Sequence, residues 1–191
     1  MAMDKVIAAV EKLIKEKPCA IIAIDGPCAS GKTTVAGLIA QKFNACIIHT
    51  DDFFLPAEMR TADRLSQAGG NIHYERFNVE VVKGIESRNE FVYGIYSCSS
   101  GTTAQSSPVS PQNPIIIEGS YALHPKIKVR YDLKIFVEAD YETRVTRILH
   151  RNGICALEIF KSKWIPMEDR YFAEFKIREK CDIKIKTDRK A

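Results

Sequence analysis

No stretch of this chain approaches the roughly 18 continuous apolar residues that a membrane-spanning helix needs, so no span is expected. The N-terminal segment MAMDKVIAAVEKLIKEKP carries acidic residues and lacks a long apolar run, and it reads as neither a secretion signal nor a transit peptide. The six cysteines, at 19, 28, 46, 98, 155 and 181, form no CxxC pair. A zinc site is therefore not expected, and scattered single thiols fit a reducing cytoplasm. Charge of one sign is scarce too. The 28 Lys and Arg against 24 Asp and Glu leave +4, which helps to attract a phosphorylated small molecule but falls short of a nucleic-acid-binding surface. There is no internal repeat. What is present is an ordinary globular composition, 46% hydrophobic and 27% charged over 191 residues, which predicts one domain over 1–191. The expected partner is a small-molecule substrate, with no nucleic acid and no membrane; a homo-oligomer is left open.

Val6, Ile7, Val10, Leu13 and Ile14 recur at helical spacing, which predicts an amphipathic helix over residues 4–17 within an N-terminal unit 1–18. Short apolar runs follow: AIIAID at 20–25, ACIIH at 45–49, FVYGIY at 91–96, IIIE at 115–118, LKIFVE at 133–138, and a last CDIKIK. They read as buried parallel strands separated mostly by helices. The expected fold is α/β, a three-layer sandwich with a mainly parallel central sheet and helices on both faces. Residues 55–75 and 97–113 lack periodicity and read as loops, the second either a linker or an insertion near a site.

The strongest motif is IAIDGPCASGKTT, where Gly26, Gly31, Lys32 and Thr33 match GxxxxGK[ST] between an apolar strand and the helical run VAGLIAQKF. In such a phosphate loop the backbone N–H groups point into one concavity, and the following helix adds its positive end. The donor-nucleotide site is thus expected at Gly26, Pro27, Cys28, Ala29, Ser30, Gly31, Lys32, Thr33 and Thr34. Lys32 would hold the β and γ phosphates of ATP, and the Thr33 hydroxyl would serve Mg²⁺. Cys28 reads most simply as a loop filler, with a thiol that the helix start could acidify. No Asp is followed by Gly three positions on and no NKxD occurs, which speaks against a guanine-specific switch.

Acidic and cationic groups complete the reading. Asp51 and Asp52 end the second strand, where α/β sheets collect ligands, and one of them can accept the proton of an attacking hydroxyl. Glu118, at the tip of IIIE, reads as a metal-organising carboxylate. On a helix, Arg144, Arg147 and Arg151 fall within about 60° of one another, apart from the apolar stripe of Val145, Ile148 and Leu149, and they suggest an arginine lid over the transferring phosphoryl group. Trp164 reads as a packing anchor for the last helix.

These motifs resemble the uridine kinase group of phosphate-loop kinases, which includes nicotinamide riboside kinases and, more distantly, phosphoribulokinase and pantothenate kinase. The likeness spans Ile21 to Lys186 and rests on IDGPCASGKTT, HTDDFFLP, GGNIHYERF, IIIEGSYALHP, YDLKIFVEADYETRVTRILHRNG and WIPMEDRYF. The resemblance implies a P-loop kinase fold with a short Arg-bearing lid over 144–163 and ATP with Mg²⁺ as cofactors. It makes Asp51 the general base, Lys32 and Arg147 catalytic, Thr33 and Glu118 metal-organising, Arg151 a donor contact, and Arg144 and Tyr96 substrate contacts. Two departures stand out. Tyr96 is followed by Ser97 and no His, where the nucleoside kinases place an Asp and a pyrimidine-contacting His. The ribose-binding Asp region is replaced by NIHYERF, where His73, Glu75 or Arg76 would take that part. The acceptor expected is a hydroxyl of a small metabolite, most plausibly a nucleoside, with a vitamin or sugar derivative as the alternative. A nucleotide-binding regulator without transfer is the rival class.

Overall fold

The computed structural model describes residues 2–188. Five of the apolar runs form one parallel sheet with β1 (Ile21–Asp25) at its centre. The edge strand β2 (Cys46–His49) pairs with β5 (Ile115–Glu118), which pairs with β1; on the other side come β6 (Leu133–Glu138) and β7 (Ile183–Lys186). All four residues of β5 are buried, which is why it reads as an unbroken apolar run. Its side chains alternate between two cores. Ile116 packs with Val6, Val10, Val35 and Ile39 beneath α1 (Ala2–Glu16) and α2 (Lys32–Phe43), whereas Ile115 and Ile117 join Phe53, Phe77 and Tyr171 on the opposite face. Helices on both faces of a mainly parallel sheet are the predicted α/β architecture, and the N-terminal helix ends before Pro18 as its periodicity indicates.

The run at 91–96 departs from that scheme. Only Gly94–Ser97 forms a strand, β3, which pairs antiparallel with β4 (Thr102–Gln105) in a separate hairpin. The reason is one-sided burial: Tyr93 is buried while Val92 is 42% exposed, and β4 is exposed throughout, so the ribbon has one wet face and cannot sit inside the sheet. The Ser, Thr and Pro-rich segment is thus partly strand rather than plain loop.

Residues 55–75 hold α3 (Ala62–Ser66), and Arg64 organises them. Its guanidinium donates to the Gly70 and Ile72 carbonyls, both at 2.9 Å, and to both carboxylate oxygens of Glu75, at 2.8 and 3.0 Å. Next, α4 (Tyr74–Phe77) runs through a π turn at Asn78–Val82 into α5 (Lys83–Ser87). The predicted lid region is α6 (Tyr141–Ile159), a π turn at Phe160–Trp164, and the start of α7 (Ile165–Phe175). α6 is broken at Gly153, whose φ of 80° and ψ of 174° only glycine adopts readily. Among the described residues, no helix is long and apolar enough to cross a membrane.

Candidate active site

A cavity of about 1000 Å³ opens at the carboxyl edge of β1, β2 and β5, and its wall includes Lys32, Thr33, Asp51, Tyr96, Glu118, Arg147 and Arg151. β1 delivers the chain into the phosphate loop. Gly26 has φ 144°, and a Cβ there would collide with the carbonyl of Val137 on β6, so the turn can approach the sheet only as glycine. Beneath the loop, the fully buried Asp25 accepts hydrogen bonds from Gly26 N at 2.7 Å, Leu123 N at 2.9 Å and the Tyr171 hydroxyl at 2.8 Å. Burial outweighs these three donors and pushes its carboxyl up to about 6.

Lys32 opens α2 and is buried; its Nζ donates to the Pro27 carbonyl at 3.0 Å and to Ser120 Oγ at 3.4 Å. An ammonium has three donors, so one remains for a phosphate. Thr33 Oγ1 donates to Glu118 Oε1 at 3.2 Å, and His49 Nδ1 lies 2.5 Å from the same oxygen. That contact raises the His49 imidazole above its ordinary value against the opposing effect of burial. Glu118 is 4% exposed, and its Oε2 has no partner among the described residues. A buried carboxylate oxygen with a free lone pair beside the Thr33 hydroxyl fits a hard cation such as Mg²⁺, which takes one or two protein oxygens and completes its shell with water and phosphate. No cluster of three acidic, His or Cys side chains occurs among the described residues, and a cation held this way requires none.

Asp51 and Asp52 lie on a 3₁₀ turn, Thr50–Phe53, that continues β2. Asp51 faces the cavity, and none of the described residues hydrogen-bonds to its carboxylate. Its side chain is open to the cavity, yet the protein around the cavity mouth strips enough hydration to push its carboxyl up to about 6; Lys32 pulls it down, while Glu118 and Glu168 push it further up. Asp52 instead accepts a hydrogen bond from the Tyr93 hydroxyl at 3.0 Å.

The arginines divide. Arg147 donates to the Ala29 carbonyl at 3.0 Å and the Thr187 carbonyl at 2.7 Å, which ties α6 to the phosphate loop and to the chain after β7. Arg151 stands on the cavity wall with its guanidinium exposed, bonded to Asn152 Oδ1 at 2.8 Å. Arg144 is 5% exposed, lies off the wall, and its Nε has no partner among the described residues.

Of the three residues expected to replace the ribose-binding Asp, none is brought to the wall. His73 caps α4, where its Nδ1 accepts the Arg76 N–H at 3.3 Å; Glu75 is held by Arg64; and Arg76 donates to the Asp52 and Gly94 carbonyls, both at 2.6 Å. The residue of that segment that does reach the cavity is Asn71, 5% exposed, whose Oδ1 has no partner among the described residues. Trp164 is more than a packing anchor: it stacks on Phe54 with ring centroids 6.3 Å apart, and both line the cavity. The Cys28 thiol is not acidified, since burial and the neighbouring Glu168 carboxylate push it up to about 12. Glu168 itself, on α7, also lines the cavity, and nothing local in WIPMEDRYF signals it.

The profile of the phosphoribulokinase / uridine kinase family matches residues 21–154. The chain is 31% identical over 146 residues to a uridine kinase of Clostridium botulinum, an alignment covering 69% of this chain and 68% of that one. It is 27% identical over 143 residues to uridine kinase-like protein 5 of Arabidopsis thaliana, covering 70% of this chain but only 30% of the plant protein's length. A solved structure described as a possible uridine kinase from Bacillus stearothermophilus superposes with a TM-score of 0.71 at 18% identity, covering 96% of this chain and 97% of that one.

Proposed function

The chain belongs to the phosphoribulokinase / uridine kinase family, and from that premise we propose that it uses ATP with Mg²⁺ to phosphorylate a hydroxyl of a small metabolite, in the first instance a nucleoside. The observation that carries the reading is Asp51. A carboxylate facing the cavity, with no side-chain hydrogen bond of its own and with its proton affinity raised, serves proton abstraction; a nucleotide sensor needs only the triphosphate site. Asp51 accepts the proton of the attacking hydroxyl. Lys32 uses its remaining donor on the transferred group, and Arg147, fixed against the loop at Ala29, holds a further positive charge beside it, with Arg151 on the lid side. Thr33 and Glu118 would hold the Mg²⁺, which offsets charge on the phosphates.

One observation favours a different acceptor, a sugar or vitamin derivative carrying an anionic group. Arg60 lines the cavity, donates to the Leu55 carbonyl at 2.8 Å and approaches Cys98 Sγ at 3.3 Å, and has no carboxylate partner among the described residues. An uncompensated guanidinium at that wall suits a carboxylate or phosphate.

The test is ADP release by the purified chain across nucleosides, vitamins, sugars and their anionic derivatives. With no His after Tyr96, uridine and cytidine are expected below a kcat/KM of about 10⁴ M⁻¹s⁻¹. Efficient uridine turnover would select the nucleoside reading, and an anionic alcohol that outpaces every nucleoside would select the other. Lys32→Ala should abolish the release. Release unchanged by that substitution, or no acceptor in the panel, would overturn the kinase reading.

A further inference from the structure

We propose that Glu168, on α7, is a positioning residue that clamps the phosphate loop in its nucleotide-binding shape. The proposal rests on the reading of residues 26–34 as the donor-phosphate site, and on contacts that no motif assigns. Glu168 is 5% exposed, yet both of its carboxylate oxygens are engaged. Oε2 accepts the Cys28 backbone N–H at 2.8 Å, inside the loop, and Oε1 lies 2.7 Å from Ser120 Oγ.

Ser120 extends the connection. It follows β5 by two residues, and its hydroxyl oxygen lies 3.0 Å from the Gly26 carbonyl while receiving Lys32 Nζ at 3.4 Å. Its single proton is shared between Glu168 and Gly26, and its lone pairs face the ammonium. One carboxylate thus fixes the loop at Cys28, fixes Ser120, and through Ser120 fixes Lys32 and the loop's first residue. Around it, Cys28 and Ala29 pack on Ile165 at the start of α7 and on Ile148 and Leu157 of α6, so both helices hold the loop from the side that supplies the carboxylate.

A carboxylate beside a triphosphate site repels the ligand, and burying it is unfavourable unless hydrogen bonds compensate. A residue of this charge that served only to fill space would be better apolar. The bonds to Cys28 N and Ser120 Oγ supply the compensation, and they also give the loop, which carries the non-glycine residue Ala29 at φ 57°, an external support for its backbone.

The experiment compares Glu168→Ala, Glu168→Gln and Ser120→Ala by amide hydrogen exchange of Cys28 and by calorimetric titration of adenylyl imidodiphosphate with Mg²⁺. Neither readout needs an acceptor, so a failed acceptor screen leaves the outcome interpretable. Glu168→Ala should speed Cys28 exchange at least tenfold and weaken the analogue about 10- to 100-fold, the worth of a hydrogen bond to a charged group. Glu168→Gln keeps an acceptor for Cys28 N and should restore both readouts to within about threefold of the parent. Where an acceptor is in hand, the loss in Glu168→Ala should fall on the KM for ATP more than on kcat. Should Glu168→Ala fail to fold, Ser120→Ala decides, because it leaves α7 intact and should weaken the analogue by freeing both Glu168 and Lys32. Parent-like exchange and affinity in the folded variants would overturn the proposal, as would Glu168→Gln behaving no better than Glu168→Ala.

Discussion

Tyr93 donates its hydroxyl to Asp52 Oδ2 at 3.0 Å, while the adjacent Asp51 carboxylate faces the cavity without such a bond. Two neighbouring acids are thereby given different work. Asp52 holds the β3–β4 hairpin to the end of β2, and Asp51 is left available for chemistry. Asp51→Asn should retain affinity for an ATP analogue and lose roughly 10²- to 10⁴-fold in turnover, the usual worth of a positioned base. Asp52→Asn should cost less. Steady-state assays of the two variants on one acceptor check this, and a larger loss in Asp52→Asn would exchange their roles.

The pH profile follows from the position of Asp51 on the cavity wall. A base must be ionised, and partial loss of hydration beside the cavity raises this carboxyl to about 6. The logarithm of kcat/KM should therefore be flat above about pH 7 and fall with unit slope below about pH 6. An acid limb near pH 4, where an ordinary aspartate titrates, would contradict the assignment. In Asp51→Asn the limb should vanish from whatever activity remains.

Stability should carry a related signature at Asp25, whose folded-state carboxyl also lies at about 6, above its ordinary value. Between about pH 4 and 6 the folded state binds the extra proton, so this group's contribution is most favourable at low pH and declines as pH rises through that window. Tyr171 donates to Asp25 and favours its charged form. Tyr171→Phe should therefore destabilise by about 1.5–3 kcal/mol at pH 8, where the carboxylate is charged, and by less at pH 5. Urea unfolding at the two pH values measures the difference; an equal loss at both would mean that only packing was disturbed.

How legible this was in the sequence depends on the distance between partners. β1, β5, the loop at Gly26, and Thr33 and Glu118 as separate candidates announce themselves because apolar runs, glycines and strand ends are local signals. The FVYGIY run misled because apolar residues alone do not say whether one face or both are covered; Val92 is exposed and Tyr93 is buried. His73, Glu75 and Arg76 stand beside the Gly pair, but His73 and Glu75 are held by bonds to near neighbours in the chain and Arg76 by the Asp52 and Gly94 carbonyls. Glu168 was invisible for a simpler reason: it meets Cys28 across 140 residues of chain, and no periodicity encodes such a meeting.

The break at Gly153 divides the lid region into two segments joined by one non-helical residue. On its N-terminal side Arg147 is bolted to the phosphate loop; on its C-terminal side the π turn carries Lys163 and Trp164 to the far wall, against Phe54. A continuous helix would lock the two sets of side chains at a fixed angle, so that any insertion or turn of one would swing the other. With the dihedrals interrupted, a change of direction or length on the Trp164 side need not be transmitted to Arg147 at the phosphate loop. One glycine thereby uncouples the geometry of the far wall from that of the phosphate loop.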